Sequence, residues 1–413
     1  MQITNIRLLT MLLILAAAGT SQAGDTTWIA SWASSPLGGK IVIPAVPPDR
    51  IPPSPIVHGT LRYRLPLSLG GSQLVLRLTN EPNSQPLAIG AVTVGIAEAG
   101  LSVRGGTMRK VTFNGRSTIS IPGGAPAVSD PVDLTTGQSD AVIVSIFLTK
   151  DTQFPLGQRG VQASALDNGD ATQALTLESA RPTLVRTPVS AVLVASSSRA
   201  ETIVAFGDSI TDGGITDTPD VRGWPGHLSK RLMQASGHPP LGVANEGIGG
   251  NGLVTDIIGP NGLARFDRDV LSLPNVTYVV LLEGINDIGF SNSPGGPGSG
   301  APVSSQEMIG AYRQLIERAH EHRIRLIAGT LLPYKGAMYY SENGEQIRDS
   351  LNEWIRTSRE LDGVVDFDRA LRDPADSKKL NAAYDSGDHL HPSDAGYKAM
   401  AQAFDVNQFW KSK

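Results

Sequence analysis

From Trp28 to about Val194 the chain alternates apolar and polar positions in short runs broken by turn residues. Leu74, Leu76 and Leu78 alternate with Val75, Arg77 and Thr79 until Asn80-Glu81-Pro82-Asn83 stops the run, and Val142, Val144, Ile146 and Leu148 repeat the pattern. A period of two places one apolar face on a strand. Asn114-Gly115 stands between Val111-Thr112 and residues 117–121, the strongest short-range signal for a hairpin, so a hairpin is predicted there. No stretch of comparable length repeats at i, i+3 and i+4. Residues 24–195 therefore read as an all-β, sandwich or jelly-roll-like domain.

Past a linker at 196–201 the period changes. Buried strands are predicted at 202–206, 241–245, 277–283 and 324–330, with a weaker one at 363–367. Helical segments fall between them; in 305–322 the residues Met308, Ile309, Tyr312, Leu315, Ile316 and Ala319 share one face. Strands alternating with helices predict an α/β domain over 202–413, its parallel sheet covered on both faces. Residues 291–302 (SNSPGGPGSGAP) are too rich in Gly and Pro for regular structure.

Arg7, the apolar run at 8–18 and the small residues Ser21 and Ala23 have the layout of a secretory signal peptide over residues 1–23. The run is shorter than the ~20 residues needed to span a bilayer, so export with cleavage after Ala23 is expected rather than a lasting anchor. The destination would be the periplasm or the medium. Cysteine is absent, which excludes disulfides, thiolate metal sites and a Cys nucleophile together. The net charge of −4 is unevenly spread, about +4 over residues 1–200 against about −8 over 201–413, and no basic footprint suggests nucleic-acid binding. The oligomeric state is left open.

Gly207-Asp208-Ser209-Ile210-Thr211-Asp212-Gly213 follows the first strand of the α/β half, where ligands of such sheets bind. Ser209 can present its hydroxyl to a bound carbonyl there, or Asp208, Ser209 and Thr211 can simply cap the next helix. A nucleophilic Ser needs a base, and the base an orienting group. Asp388-His389-Leu390-His391-Pro392 offers Asp388 and His391 three apart, a spacing that lets the carboxylate reach the ring N–H. His389 is the rival base, second because adjacency to Asp388 points the two side chains apart. Anionic charge on an attacked carbonyl needs fixed donors. Asn245-Glu246-Gly247-Ile248-Gly249-Gly250 and Gly284-Ile285-Asn286-Asp287 close the next two strands and can supply them.

These four segments resemble, in order and spacing, the blocks of the SGNH (GDSL) hydrolase superfamily over 202–409. The resemblance implies a flavodoxin-like three-layer sandwich, with Ser209 as nucleophile, His391 as base and Asp388 as third triad member. It implies an oxyanion hole made of the Ser209 and Gly250 backbone N–H groups and the Asn286 side chain. Asn251 departs from the pattern, since an Asp commonly follows the block-two Gly. Trp28-Ile29-Ala30-Ser31-Trp32-Ala33-Ser34-Ser35-Pro36 and Leu76-Arg77-Leu78-Thr79-Asn80-Glu81 are similar to secreted bacterial members with an added N-terminal β domain. That domain is expected to brace the hydrolase rather than to wall the cleft or bind glycans.

Rival motifs are weaker. Gly247-Ile248-Gly249-Gly250-Asn251-Gly252 matches a dinucleotide fingerprint formally, but Gly259-Pro260 cuts the helix it needs. His320-Glu321-His322 has its rings diverging on a helix, and neither metal nor cofactor is indicated. The expectation is an exported serine esterase that takes a small-molecule or polysaccharide ester and favours short acyl groups such as acetyl on carbohydrate. A lipase, lysophospholipase or thioesterase on longer chains is the alternative. A non-catalytic glycan- or surface-binding protein on the same fold is the alternative of another class.

Overall fold

The computed structural model describes residues 27–37, 55–154, 163–183, 185–197, 199–213, 220–235, 237–292 and 302–410. The expected signal segment at 1–23, and residues 293–301 of the Gly/Pro-rich stretch, lie outside the described residues.

The N-terminal half is built of antiparallel strands: β1 (Thr27–Ala33), β2 (Ile56–Pro66), β3 (Leu74–Thr79), β4 (Leu87–Ile96), β5 (Arg109–Lys110), β6 (Ile119–Ile121), β7 (Pro126–Val128), β8 (Ala141–Gln153), β9 (Ser164–Asp167), β10 (Arg181–Pro182) and β11 (Val189–Ser196). They form two sheets, one ordered β1-β11-β3-β7 and the other β10-β9-β2-β8-β4-β5 with β6 also on β4. Alternation decides what each face buries. Leu74, Leu76, Leu78, Val192 and Val194 meet Leu61, Tyr63, Val144 and Ile146 of the second sheet in one apolar core. Val75, Ala191 and Leu193, on the opposite face, belong to the core of the C-terminal half. In β1 an irregularity between Ala30 and Trp32 re-phases the strand, so that Ile29 and Trp32 share the sandwich face while Ala30 and Ala33 face the other way.

The hairpin predicted around Asn114-Gly115 is only partly formed. The turn exists, with positive φ at Asn114 (51°) and Gly115 (74°) and a bridge between Phe113 and Arg116. Its legs do not run on as paired strands, because β5 and β6 both pair with β4 instead. Asp130 fixes the turn by accepting from the backbone N–H groups of Asn114 and Gly115 and from the Thr112 hydroxyl.

Ser196 ends β11 and Glu201 opens β12 (Glu201–Gly207), so the connection between the halves is short. With β13 (Leu241–Gly247), β14 (Val276–Leu282), β15 (Arg325–Gly329) and β16 (Gly363–Val365) it forms a parallel sheet ordered β13-β12-β14-β15-β16. Strands β12 and β14 are buried on both faces, as all-parallel sheets require. The helices are α1 (Ser209–Asp212), α2 (Gly223–Gln234), α3 (Gly262–Phe266), α4 (Ile285–Ser291), α5 (Ser305–Glu321), α6 (Glu342–Thr357), α7 (Phe367–Leu371) and α8 (Asp394–Gln402). Helix α5 buries Met308, Tyr312, Leu315, Ile316 and Ala319, the face its spacing predicts, and starts at a capping box between Ser304 and Glu307. No helix among the described residues is long and apolar enough to cross a membrane.

The two halves are joined by buried polar contacts as well as by apolar ones. The Ala30 N–H donates to Thr202 Oγ1 (3.2 Å) and the Val243 N–H to Ser68 Oγ (2.8 Å). Ser35 Oγ lies 2.6 Å from Glu246 Oε2 and 3.0 Å from Asp269 Oδ2, while Arg186 donates to the Ser35 carbonyl. Burial, followed by the neighbouring Asp269 charge, pushes the Glu246 carboxyl well above its ordinary range. Arg265, fully buried, ties this cluster to the next strand. It pairs with Asp269 (2.9 Å) and donates to the carbonyls of Glu246 and Gly207.

Candidate active site

Every parallel strand points its carboxyl end at the same edge of the sheet, and the chemistry-bearing segments gather there. At the end of β12, Asp208 caps α1 by accepting from the Ile210 N–H (2.8 Å). The capping role considered from the sequence therefore belongs to Asp208. Ser209, the first residue of α1, is half-buried with its hydroxyl 2.7 Å from His391 Nε2. As a first-turn residue it has no intrahelical acceptor for its N–H.

His391 lies in the turn that leads into α8. Its Nδ1 is 2.5 Å from Asp388 Oδ2, and its backbone N–H donates to Asp388 Oδ1 (2.8 Å). One carboxylate thus fixes both ring and main chain, leaving Nε2 to face the serine. Burial alone would raise the Asp388 carboxyl, but the His391 hydrogen bond and charge outweigh it and hold the group below the usual carboxylate range. The rival, His389, pairs instead with Asp385 (2.6 Å) from a left-handed backbone at φ 63°.

The segment after β13 turns through Gly250 at φ 74° and is followed by Asn251, whose side chain is wholly buried. Asn251 Nδ2 donates to the carbonyls of Ile258 and Pro260, and its Oδ1 accepts from Arg265. An aspartate could not make the two donations, so the departure noted in the sequence is matched by the loop it holds. No long helix follows this glycine run; the next one is the five-residue α3. In α4, Asn286 is 3% exposed, with Nδ2 donating to the Asn251 carbonyl (2.8 Å) and Oδ1 accepting from the Tyr339 hydroxyl (3.2 Å). Its neighbour Asp287 accepts from the backbone N–H groups of Leu253, Val254 and Thr255.

Ser209, Gly250, Asn286, Asp388 and His391 all border one cleft of about 500 Å³. Its remaining walls are mostly apolar, formed by Ile258, Phe290, Met338, Tyr339, Leu390 and Tyr397. Among the described residues, all of those lining it come from the C-terminal half. Behind the serine lies an acidic cluster that sequence reading did not single out. Burial pushes the Asp208 carboxyl up to about 7, although the Ile210 N–H and the His391 and Arg265 charges pull it down. Burial and the Asp208 charge likewise raise Glu283 well above its ordinary range. Asp208 Oδ2 and Glu283 Oε1 are buried without a hydrogen-bond partner among the described residues. Tyr339, Phe290 and Tyr397 were also missed, since their place on the cleft depends on tertiary folding and no local motif marks it.

A cleft at the carboxyl edge holding a hydroxyl–imidazole–carboxylate line can be set beside known proteins. Residues 205–399 match the GDSL-like Lipase/Acylhydrolase family. Among curated proteins, the hexagonally packed intermediate-layer surface protein of Deinococcus radiodurans is 32% identical over 117 residues, 28% of this chain and 11% of that one. The matched region thus spans about a tenth of that relative. Among solved structures, a GDSL-like lipase from Bacteroides thetaiotaomicron is 21% identical, covering 51% of this chain and 89% of its own, with a TM-score of 0.39. An acetyl xylan esterase from Geobacillus stearothermophilus is 23% identical, covering 52% and 96%, with a TM-score of 0.41. Residues 205–399, just under half of the chain, thus match the GDSL-like lipase/acylhydrolase family, and Ser209, Asp388 and His391 all fall inside that match.

Proposed function

We propose that the chain is a serine esterase in which Ser209 attacks an ester carbonyl, His391 takes the hydroxyl proton and Asp388 holds the imidazole. The observation that carries this reading is the unbroken line Ser209 Oγ–His391 Nε2 (2.7 Å) and His391 Nδ1–Asp388 Oδ2 (2.5 Å) beside the cleft. Attack forms the Oγ–C bond while the carbonyl π pair moves onto oxygen. The resulting oxyanion is held by the Ser209 and Gly250 N–H groups and Asn286 Nδ2. Collapse expels the alkoxide, which leaves as the alcohol with the proton from Nε2. Water, deprotonated by the same nitrogen, then releases the acid and restores Ser209.

For the substrate we propose short acyl groups, acetyl on a carbohydrate alcohol being the leading case; the acetyl xylan esterase among the similar structures is named for such an ester. Longer acyl chains are the second reading. They are favoured by the apolar walls and by Met338, 83% exposed on the border of the cleft. We further propose export directed by residues 1–23, a reading supported by the similarity to a surface-layer protein. The N-terminal β domain acts as a brace in this proposal, in keeping with a cleft whose lining, among the described residues, comes from the C-terminal half.

A fluorophosphonate should label the wild-type protein and leave Ser209→Ala unlabelled, and Ser209→Ala should lose hydrolysis of p-nitrophenyl acetate. No label on folded wild-type protein, under conditions that label a control esterase, favours the binding-protein alternative. Faster cleavage of the decanoate than of the acetate would overturn the short-acyl proposal.

A further inference from the structure

The Asn286 amide is useful to an oxyanion only in one of its two orientations, because the nitrogen donates and the oxygen repels. Two neighbours fix that orientation. The Asn251 carbonyl can only accept, so it must face Nδ2, and the Tyr339 hydroxyl donates to Oδ1 from the other side. Nδ2 carries two hydrogens; with one given to Asn251, the second is left for the cleft that Asn286 borders. A hydrogen bond accepted at Oδ1 also draws electron density from the amide and strengthens the donor at Nδ2, as in any chain of such bonds.

The ring of Tyr339 is held as firmly as its hydroxyl. It stands edge-on to Phe290 at 4.8 Å between centroids and is 5% exposed. Gly289, three residues beyond Asn286 and therefore on the same side of α4, gives the ring its room. A Cβ there would lie 2.5 Å from a ring carbon. Burial keeps the phenol protonated far above its ordinary range, so it remains a donor wherever the esterase works.

We propose that Tyr339 is a positioning residue of the oxyanion hole, acting through Asn286 by locking its amide and polarising the N–H aimed at the developing charge. This rests on the esterase reading and deepens it.

The test is a double-mutant cycle with p-nitrophenyl acetate, with Ser209→Ala run alongside. Tyr339→Phe retains the ring in its slot beside Phe290, so the melting temperature should stay within a few degrees. The expected result is a fall in kcat of roughly tenfold with KM changed less than twofold. In an Asn286→Ala background the same substitution should change kcat by less than twofold, because the group it acts through is gone. An unchanged kcat for Tyr339→Phe, an equal fall in both backgrounds, or a rise in KM with a lowered melting temperature would each overturn the proposal. If those results accompany an inactive Ser209→Ala, only the Tyr339 assignment fails. An active Ser209→Ala removes the esterase reading and this inference with it.

Discussion

At the scale of single residues, the site depends on polar groups with few free valences. Asn286 is buried between an acceptor and a donor, and only its remaining N–H is available to a ligand. Asn286→Ala should therefore lower kcat by about 10²–10³ while KM moves little, as for loss of other oxyanion donors. Steady-state kinetics on the acetate ester checks this, and a wild-type kcat would refute it. Asp208 gives a pH prediction. Its carboxyl is raised to about 7 in the folded protein, whereas an unfolded chain ionises it near the ordinary value of about 4. As pH rises through that window the unfolded state loses its proton first, so Asp208 makes stability fall between about pH 4 and 7. Asp208→Asn preserves a capping oxygen and removes the titration. Its melting temperature should decline less from pH 5 to pH 8 than that of the wild type, and parallel curves would contradict the argument.

At the scale of elements, the strand ends were the most legible part of the sequence. Gly207-Asp208-Ser209, Gly250, Asn286 and Asp388–His391 each follow or close an element in a local pattern that can be read without the fold. The hairpin at Asn114-Gly115 shows where such reading stops. The dipeptide specifies the turn, but β4 competes for both of its legs, and a local signal does not report that competition. Tyr339 is illegible for the same reason, since 53 positions separate it from the amide it touches. Asp287 is intermediate: it was quoted as part of a motif, yet its partners appear only in three dimensions. Its carboxylate gathers three backbone N–H groups of the loop that follows Gly250. Asp287→Ala would leave those donors without their acceptor and should cost about 3 kcal/mol. At roughly 1–2 °C per kcal/mol for a cooperative unit of this size, scanning calorimetry should find the melting temperature lowered by about 3–6 °C. A shift below 2 °C would show that the loop finds other acceptors.

At the scale of the molecule, the period-two pattern of residues 24–195 revealed strands but not that one sheet is covered on both sides. Ala30, Val75, Ala191 and Leu193 serve the C-terminal core while their neighbours serve the sandwich. Ala30 and Ala191 look unremarkable in a sequence, yet both pack against the core of the C-terminal half. Residues 200–413 expressed alone should therefore expose an apolar face together with the Glu246–Asp269–Arg265 cluster, stripped of its cover by Ser35 and Arg186. That fragment should aggregate or melt well below the full chain, which in turn should unfold in a single calorimetric transition. A monomeric fragment as stable as the whole would show the two cores to be independent.

The seating of β1 has a consequence for how the chain is made. Its partner is β11, so Thr27 meets Ser196 and Ala33 meets Ala191. Once synthesised, β1 must wait for some 160 further residues before this partner exists. By then translation is about to begin β12, whose Thr202 accepts from β1 as well. Long-range closure of this kind is slow, and it leaves an apolar segment uncovered in the meantime. The early part of this protein is thus committed to finishing late, at the moment the hydrolase half starts to emerge.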